Sequence, residues 1–201
     1  HGSEMVRFNH KPGERKRFRG LLACTERVSV VSEYGRGLLA DIDPAAARRA
    51  LVLPGALRSE FTVPARTAAE PEASLTVLTL ARVHPRKGQL AVIEALAGLP
   101  RKERERVVYK VAGPATRPRY IKKLRAAARA GGVKLELLGQ VEDAALPGLL
   151  AGADIFAMTP VPYKASVEGY GLSYLEAGAA GLPVVAHAIG GVPEAVPHGE
   201  A

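Results

Sequence analysis

The pattern of apolar and polar positions changes about a third of the way along the chain. In the first part the apolar stretches are short and mixed. Residues 15–24 have helical spacing, and residues 27–31 form a short β-branched run that predicts a strand. Ser32 can cap a helix running through Leu38 and Leu39. Asp43-Pro44 places a capping side chain before a proline at the first helical position, which predicts a short helix through Arg49. Residues 50–53 read as a second strand, stopped by Pro54-Gly55. Residues 61–71 are rich in Pro, Ala, Thr and Glu and read as a linker.

From Leu75 a regular alternation begins. Residues 75–81, apolar but for Thr76 and Thr79, predict a strand of the kind buried on both faces of a sheet. An amphipathic helix over 89–96, a strand over 107–112, and a helix over 119–130 ended by Gly131-Gly132 follow. Next come a strand over 133–138, a helix capped by Asp143 and reaching Leu150, and a strand over 154–158. A helix over 172–180, closed by Gly181, and a strand over 183–186 complete the series. Strand–helix–strand repetition with short links predicts right-handed parallel units and a doubly wound, Rossmann-like α/β sheet. Two strands before the linker cannot make an independent sheet with a core. Residues 1–65 are therefore expected to be the C-terminal part of an incomplete first domain. Residues 66–74 would be a linker, and 75–201 a second domain lacking its own C-terminal elements.

Composition narrows the class. The 201 residues are 47% hydrophobic and 24% charged, which is globular. Trp is absent and aromatics are only 5%, so base-stacking platforms are poorly supplied. The single cysteine, Cys24, excludes an internal disulfide and a cysteine-cluster zinc site, and it reads as a buried packing residue. The five histidines show no metal-ligand spacing, so no metal is expected. No apolar run approaches the ~18 residues needed to span a bilayer, and no secretory leader is read at the start. The net charge of +8 favours acidic partners such as nucleic acid, anionic lipid or phosphorylated small molecules. Ten Lys/Arg fall between Arg101 and Arg125 against Glu103 and Glu105, a density that reads first as solvated helix faces.

Two letter matches carry nothing. Residues 35–40 fit the dinucleotide fingerprint but stand away from their strand and lack the following acidic residue. Residues 171–175 lack the final glycine of a nucleophile elbow. Two other segments carry chemistry. Residues 81–88 follow a buried strand and precede a helix, where parallel sheets bind ligands. Arg82 and Lys87 on that loop suit a diphosphate. In residues 168–177, glycines let the backbone approach a ligand, and 171–173 offer unpaired N–H groups where a helix begins. Glu168 and Glu176 carry carboxylates able to accept paired hydrogen bonds from vicinal sugar hydroxyls. Glu176, flanked by Leu175, Ala177 and Ala179, is expected to be largely buried and to need a partner.

Taken together, Arg82 with Lys87-Gly88, Glu168 with Glu176 eight residues on, and Gly181-Leu182-Pro183-Val184-Val185 followed by Gly190-Gly191 resemble the retaining GT-B glycosyltransferases of family 4. The resemblance covers nearly the whole chain. It takes in residues 154–158, 138–141, 30–33 and 52–55 as well. It implies a GT-B fold, incomplete at both ends, and a metal-independent, retaining transfer of a hexose from a nucleoside diphosphate sugar. No cofactor beyond that donor substrate is implied. By the same resemblance, Arg82 and Lys87 hold the donor diphosphate, Glu176 the ribose, and Glu168 the donor sugar near the reacting carbon. Gly169, Leu172 and Ser173 line sugar and phosphate through the backbone, and Val141 lies by the base. His1, in a His-Gly segment like one in the family, is a further catalytic candidate. Ala81 and Gly178 depart from the family pattern, where Gly and Met are common.

The acceptor is left open among glycan, lipid and small molecule. A cytoplasmic enzyme with peripheral membrane contact is expected, Arg15–Arg19 being the basic cluster for it. The isolated chain is expected to be inactive and poorly stable. Two readings from other classes stand beside this one: a non-catalytic nucleotide-sugar-binding module, and a basic nucleic-acid-binding protein. The latter rests on charge alone, and no nucleic-acid partner is expected.

Overall fold

Short polar side chains set the element boundaries early in the chain. Helices α1 (Gly2–His10) and α2 (Pro12–Ala23) lead into strand β1 (Val28–Val30). Ser32 ends the strand and caps helix α3 (Glu33–Ile42), its Oγ accepting from the Gly35 N–H at 2.9 Å. Asp43 caps helix α4 (Pro44–Arg48) by accepting from the N–H groups of Ala45 and Ala46 at 3.0 Å each. Those bonds, the one from Ala46 first, hold its carboxyl below the usual carboxylate range. Strand β2 (Ala50–Val52) pairs with β1 in parallel. Leu22, Val30, Leu39, Ala46, Ala47 and Ala50 form the core there. Leu22 points into it, so Cys24, two residues further round the helix, points away and is exposed rather than packed.

The computed structural model describes residues 2–59, 61–64, 74–197 and 199, which cluster into two units. The first gathers the residues up to Ala56 with Pro162–Leu172 and the segment from Ala188 onward. The second holds Leu57–Val161 and Ser173–His187. Residues 162–172 and 188–197, which the sequence groups with the second domain, thus belong to the first unit. Most of the expected linker, residues 66–73, lies outside the described residues.

The second unit is built on β3 (Leu75–Leu80), in which every side chain from Thr76 onward is buried. A 3-10 turn (Pro85–Lys87) leads to α5 (Gln89–Ala97), α6 (Arg101–Arg104), β4 (Val107–Ala112), α7 (Pro118–Gly131) and β5 (Lys134–Gly139). A second 3-10 turn (Asp143–Ala145), α8 (Leu146–Ala151) and β6 (Ile155–Met158) follow. The series ends with α9 (Leu172–Ala179), β7 (Val184–Ala186) and, in the first unit, α10 (Val192–Ala195). All five strands are parallel, in the order β5-β4-β3-β6-β7. Asp154 fixes the β3–β6 register by accepting from the Thr76 N–H at 2.8 Å while donating its own N–H to the Thr76 carbonyl at 2.9 Å. One face of the sheet packs on α5 and α7 through Val77, Tyr109, Val111, Ile93 and Leu124. On α9, Tyr174 meets Phe156 edge-on at 5.8 Å and donates to the Met158 carbonyl at 2.8 Å.

One expectation differs in detail. Asp143 does not cap α8; its carboxylate is committed to Arg58 at 2.9 Å, and Pro147 opens the helix instead. Residues 101–104 form a helical turn, its Arg101 paired with Glu105 at 2.6 Å. Arg104 there donates to the carbonyls of Ala97 and Leu99, closing the end of α5.

Gly88 has φ +75°, and a Cβ there would lie 1.7 Å from the Thr159 carbonyl oxygen. Gly88→Ala is therefore expected to destabilise the fold by about 2 kcal/mol or more. Gly178, on α9 with no atom within 4 Å of an added Cβ, should respond oppositely, Ala stabilising by about 0.5–1 kcal/mol. Urea midpoints of the two variants check the pair; equal shifts would contradict the geometry.

Candidate donor-binding site

In this strand order, β3 lies between β4 and β6, and the chain winds in opposite directions on either side. Ligands of such a sheet gather at this reversal, along the carboxyl edge of the strands. A cavity of about 240 Å³ lies there, lined among others by Ala81, Arg82, Gly113, Gln140, Val141, Ser173 and Glu176. Gly113, at φ +144°, lets the loop after β4 close on the loop after β3. A Cβ on it would stand 2.2 Å from the Ala81 carbonyl oxygen.

The loop after β3 is held by its own side chains. Gln89 is fully buried; its Nε2 donates to the Arg82 carbonyl at 2.9 Å, and its Oε1 accepts from the His84 N–H and the Tyr120 hydroxyl at 3.4 Å each. His84 Nδ1 accepts from the Arg86 N–H at 3.1 Å and so caps the 3-10 turn. Arg86 is buried, and its carbonyl accepts from the Val161 N–H at 2.9 Å. Lys87 Nζ stands 3.8 Å from Met158 Sδ, and Ser173 Oγ stands 3.9 Å from the same sulfur. Lys87 thus reaches the side chain on which a residue of the cavity wall converges.

The electrostatics are one-sided. Burial first, and then the charges of Arg117, Arg86, Arg82 and Lys87, hold the His84 imidazole below its usual pKa. Four cations act on one ring, a field suited to a multiply charged anion. Glu176, half-buried at the cavity, is pushed above the usual carboxylate value by burial and then by Asp143, with Arg58 opposing. Glu176 is less deeply buried than its apolar flanks imply.

The structure brings Arg82, Val141, Ser173 and Glu176 to one cavity, with Lys87 beside it. Glu168, Gly169 and Leu172 belong to the first unit. Glu168 is buried, and its carbonyl accepts from the Gly191 N–H at 3.0 Å. The Gly169 carbonyl accepts from Ser32 Oγ at 2.8 Å. Leu172 opens α9 with its side chain exposed. His1 lies outside the described residues. Sequence reasoning missed Gly113, Gln140, His84 and Gln89. Gly113 and Gln140 sit at the ends of β4 and β5, so the rule that ligands gather at carboxyl ends could have found them.

A family model, Glycosyl transferases group 1, matches residues 65–201, more than half of the chain. The chain belongs to that family. It is 35% identical over 213 residues to a GDP-mannose-dependent alpha-(1-6)-phosphatidylinositol monomannoside mannosyltransferase of Mycobacterium tuberculosis, covering 98% of this chain and 53% of that protein. An enzyme of the same description from Mycolicibacterium smegmatis is 38% identical over 128 residues, 62% of this chain and 32% of the relative. The chain thus spans about half the length of the Mycobacterium tuberculosis relative. Among solved structures, Anabaena Alr3699/HepE in complex with UDP and glucose superposes with a TM-score of 0.71 at 25% identity, covering 87% of this chain and 48% of that one. The parallel α/β sheet is that of the GT-B glycosyltransferases.

Glu176 yields a stability prediction. Its folded pKa is raised above the ordinary value of 4.5. Its contribution to stability is therefore present below that value and is lost as pH rises through the folded one. At neutral pH the carboxylate costs stability, so Glu176→Gln should raise the urea midpoint at pH 7 and lose the advantage at pH 4. A variant less stable than wild type at pH 7 would contradict this.

Proposed function

We propose that this chain forms the nucleotide-sugar half of a retaining, metal-independent glycosyltransferase that moves mannose from GDP-mannose onto a mannosylated inositol phospholipid. The convergence of Arg82, Val141, Ser173 and Glu176 on one cavity at the carboxyl edge of the parallel sheet carries the reading. The 35% identity to a mannosyltransferase of that donor and acceptor supports the choice of substrates.

In this reading Arg82 and Lys87 hold the donor diphosphate, Glu176 accepts from the ribose hydroxyls, and Val141 lies by the base. Ser173 and the first N–H groups of α9 face phosphate and sugar, the natural place for an anion at a helix start. Glu168 and Gly169 serve the sugar. The bond between the anomeric carbon and the phosphate oxygen breaks as the acceptor hydroxyl bonds to that carbon from the same face, its proton passing to the departing phosphate. Negative charge grows on the leaving diphosphate, and fixed cations stabilise it without a metal.

Calorimetric titration of the chain with GDP-mannose, GDP and UDP-glucose tests this. GDP-mannose should bind more tightly than UDP-glucose, and EDTA should leave its affinity unchanged. Arg82→Ala and Lys87→Ala should each weaken GDP and GDP-mannose alike, by about 10- to 100-fold for the loss of one charge-assisted hydrogen bond. Variants that bind GDP as wild type does would remove both cations from the site.

A further inference from the structure

The loop that carries Lys87 is closed by a side chain the function above does not use. His84 lies two residues beyond Arg82 and three before Lys87. Its Nδ1 accepts from the Arg86 N–H at 3.1 Å, capping the turn Pro85–Lys87, while its backbone N–H donates to Gln89 Oε1 at 3.4 Å. Gln89 in turn holds the Arg82 carbonyl at 2.9 Å. Residue 84 therefore serves both sides of the loop: its imidazole caps the turn presenting Lys87, and its backbone N–H bonds the Gln89 that holds the strand end presenting Arg82. We propose that His84 is a positioning residue for the donor diphosphate, its neutral Nδ1 holding the turn in the form that places Lys87.

The cap has a chemical condition. An imidazole nitrogen accepts a hydrogen bond only while unprotonated; the imidazolium has two donors and no acceptor. The surroundings favour the neutral ring. Arg82, Arg86 and Lys87 bear on it from its own loop, and Arg117 from the residue before α7. Tyr120 on α7 also belongs to this network; it hydrogen-bonds to Gln89, and burial pushes its phenol up, so it stays neutral across the working range. Protonation would set an N–H against the Arg86 N–H, turn the ring out of the cap and release the turn.

This rests on the donor reading above, and it predicts a pH dependence that a merely structural histidine would not give. GDP-mannose is the probe, because its diphosphate diester carries no group that titrates between pH 5.5 and 8. Affinity of the chain for GDP-mannose should fall as pH is lowered from 8 to 5.5. His84→Asn places an amide oxygen near the position of Nδ1 and cannot be protonated. It should bind within about threefold of wild type at pH 8 and show a flat profile. His84→Ala should bind about three- to tenfold more weakly at pH 8, the cost of one lost cap bond. Thermal melts at each pH establish that the variants are folded, and the Asn variant decides the matter if the Ala variant is not. Profiles of the same slope in wild type and His84→Asn would overturn the proposal. So would affinity that rises in acid, which would make His84 a direct cationic ligand of the phosphates. If wild type fails to bind GDP-mannose at every pH, the donor reading falls and this proposal with it.

Discussion

Thr159, leaving β6, passes so close to Gly88 that a Cβ there would stand 1.7 Å from its carbonyl oxygen, and its Oγ1 donates to the Gly88 carbonyl at 3.1 Å. This close approach ties the loop after β3 to the loop after β6, beside the cavity at the carboxyl edge of the sheet. It also sets where Lys87 ends: one residue before Gly88, with its ammonium 3.8 Å from the Met158 sulfur. Only a residue without a side chain, able to take φ +75°, permits it. Gly113 works in the same way on the other wall, against Ala81.

Around that framework the site gathers positive charge and a half-buried carboxyl. Arg82, Arg86, Lys87 and Arg117 all act on the imidazole of His84, and the Glu176 carboxyl sits half-buried where burial and Asp143 raise its pKa. In the proposed reading, a ligand that offers a diphosphate to the cations and hydroxyls to the carboxylate relieves both arrangements. Catalytic and binding sites commonly hold such strain.

The sheet was readable in advance because its signals are local. Residues 75–80 admit few other structures than a doubly covered strand, and Ser32 and Asp43-Pro44 mark helix starts that the hydrogen bonds reproduce. What escaped depends on distant partners. Asp143 looks like a helix cap until Arg58 takes its carboxylate. Gly113 and Gln140 carry no signal of their own and come to the cavity through their place just past the carboxyl ends of β4 and β5. His84 and Gln89 look like ordinary loop and helix residues until their bonds across residues 82–89 are seen. Residues 162–172 join the first unit through contacts such as Ser32 with Gly169, 137 positions apart in the chain.

The most direct test of the account follows the backbone amide resonances of this chain as GDP-mannose is added. The account predicts that the largest shifts fall on residues 81–89, 113–114, 140–141 and 173–176, the four segments around the cavity. Shifts confined to residues 12–24 and 28–52, or saturable binding that leaves residues 81–89 unmoved, would contradict it.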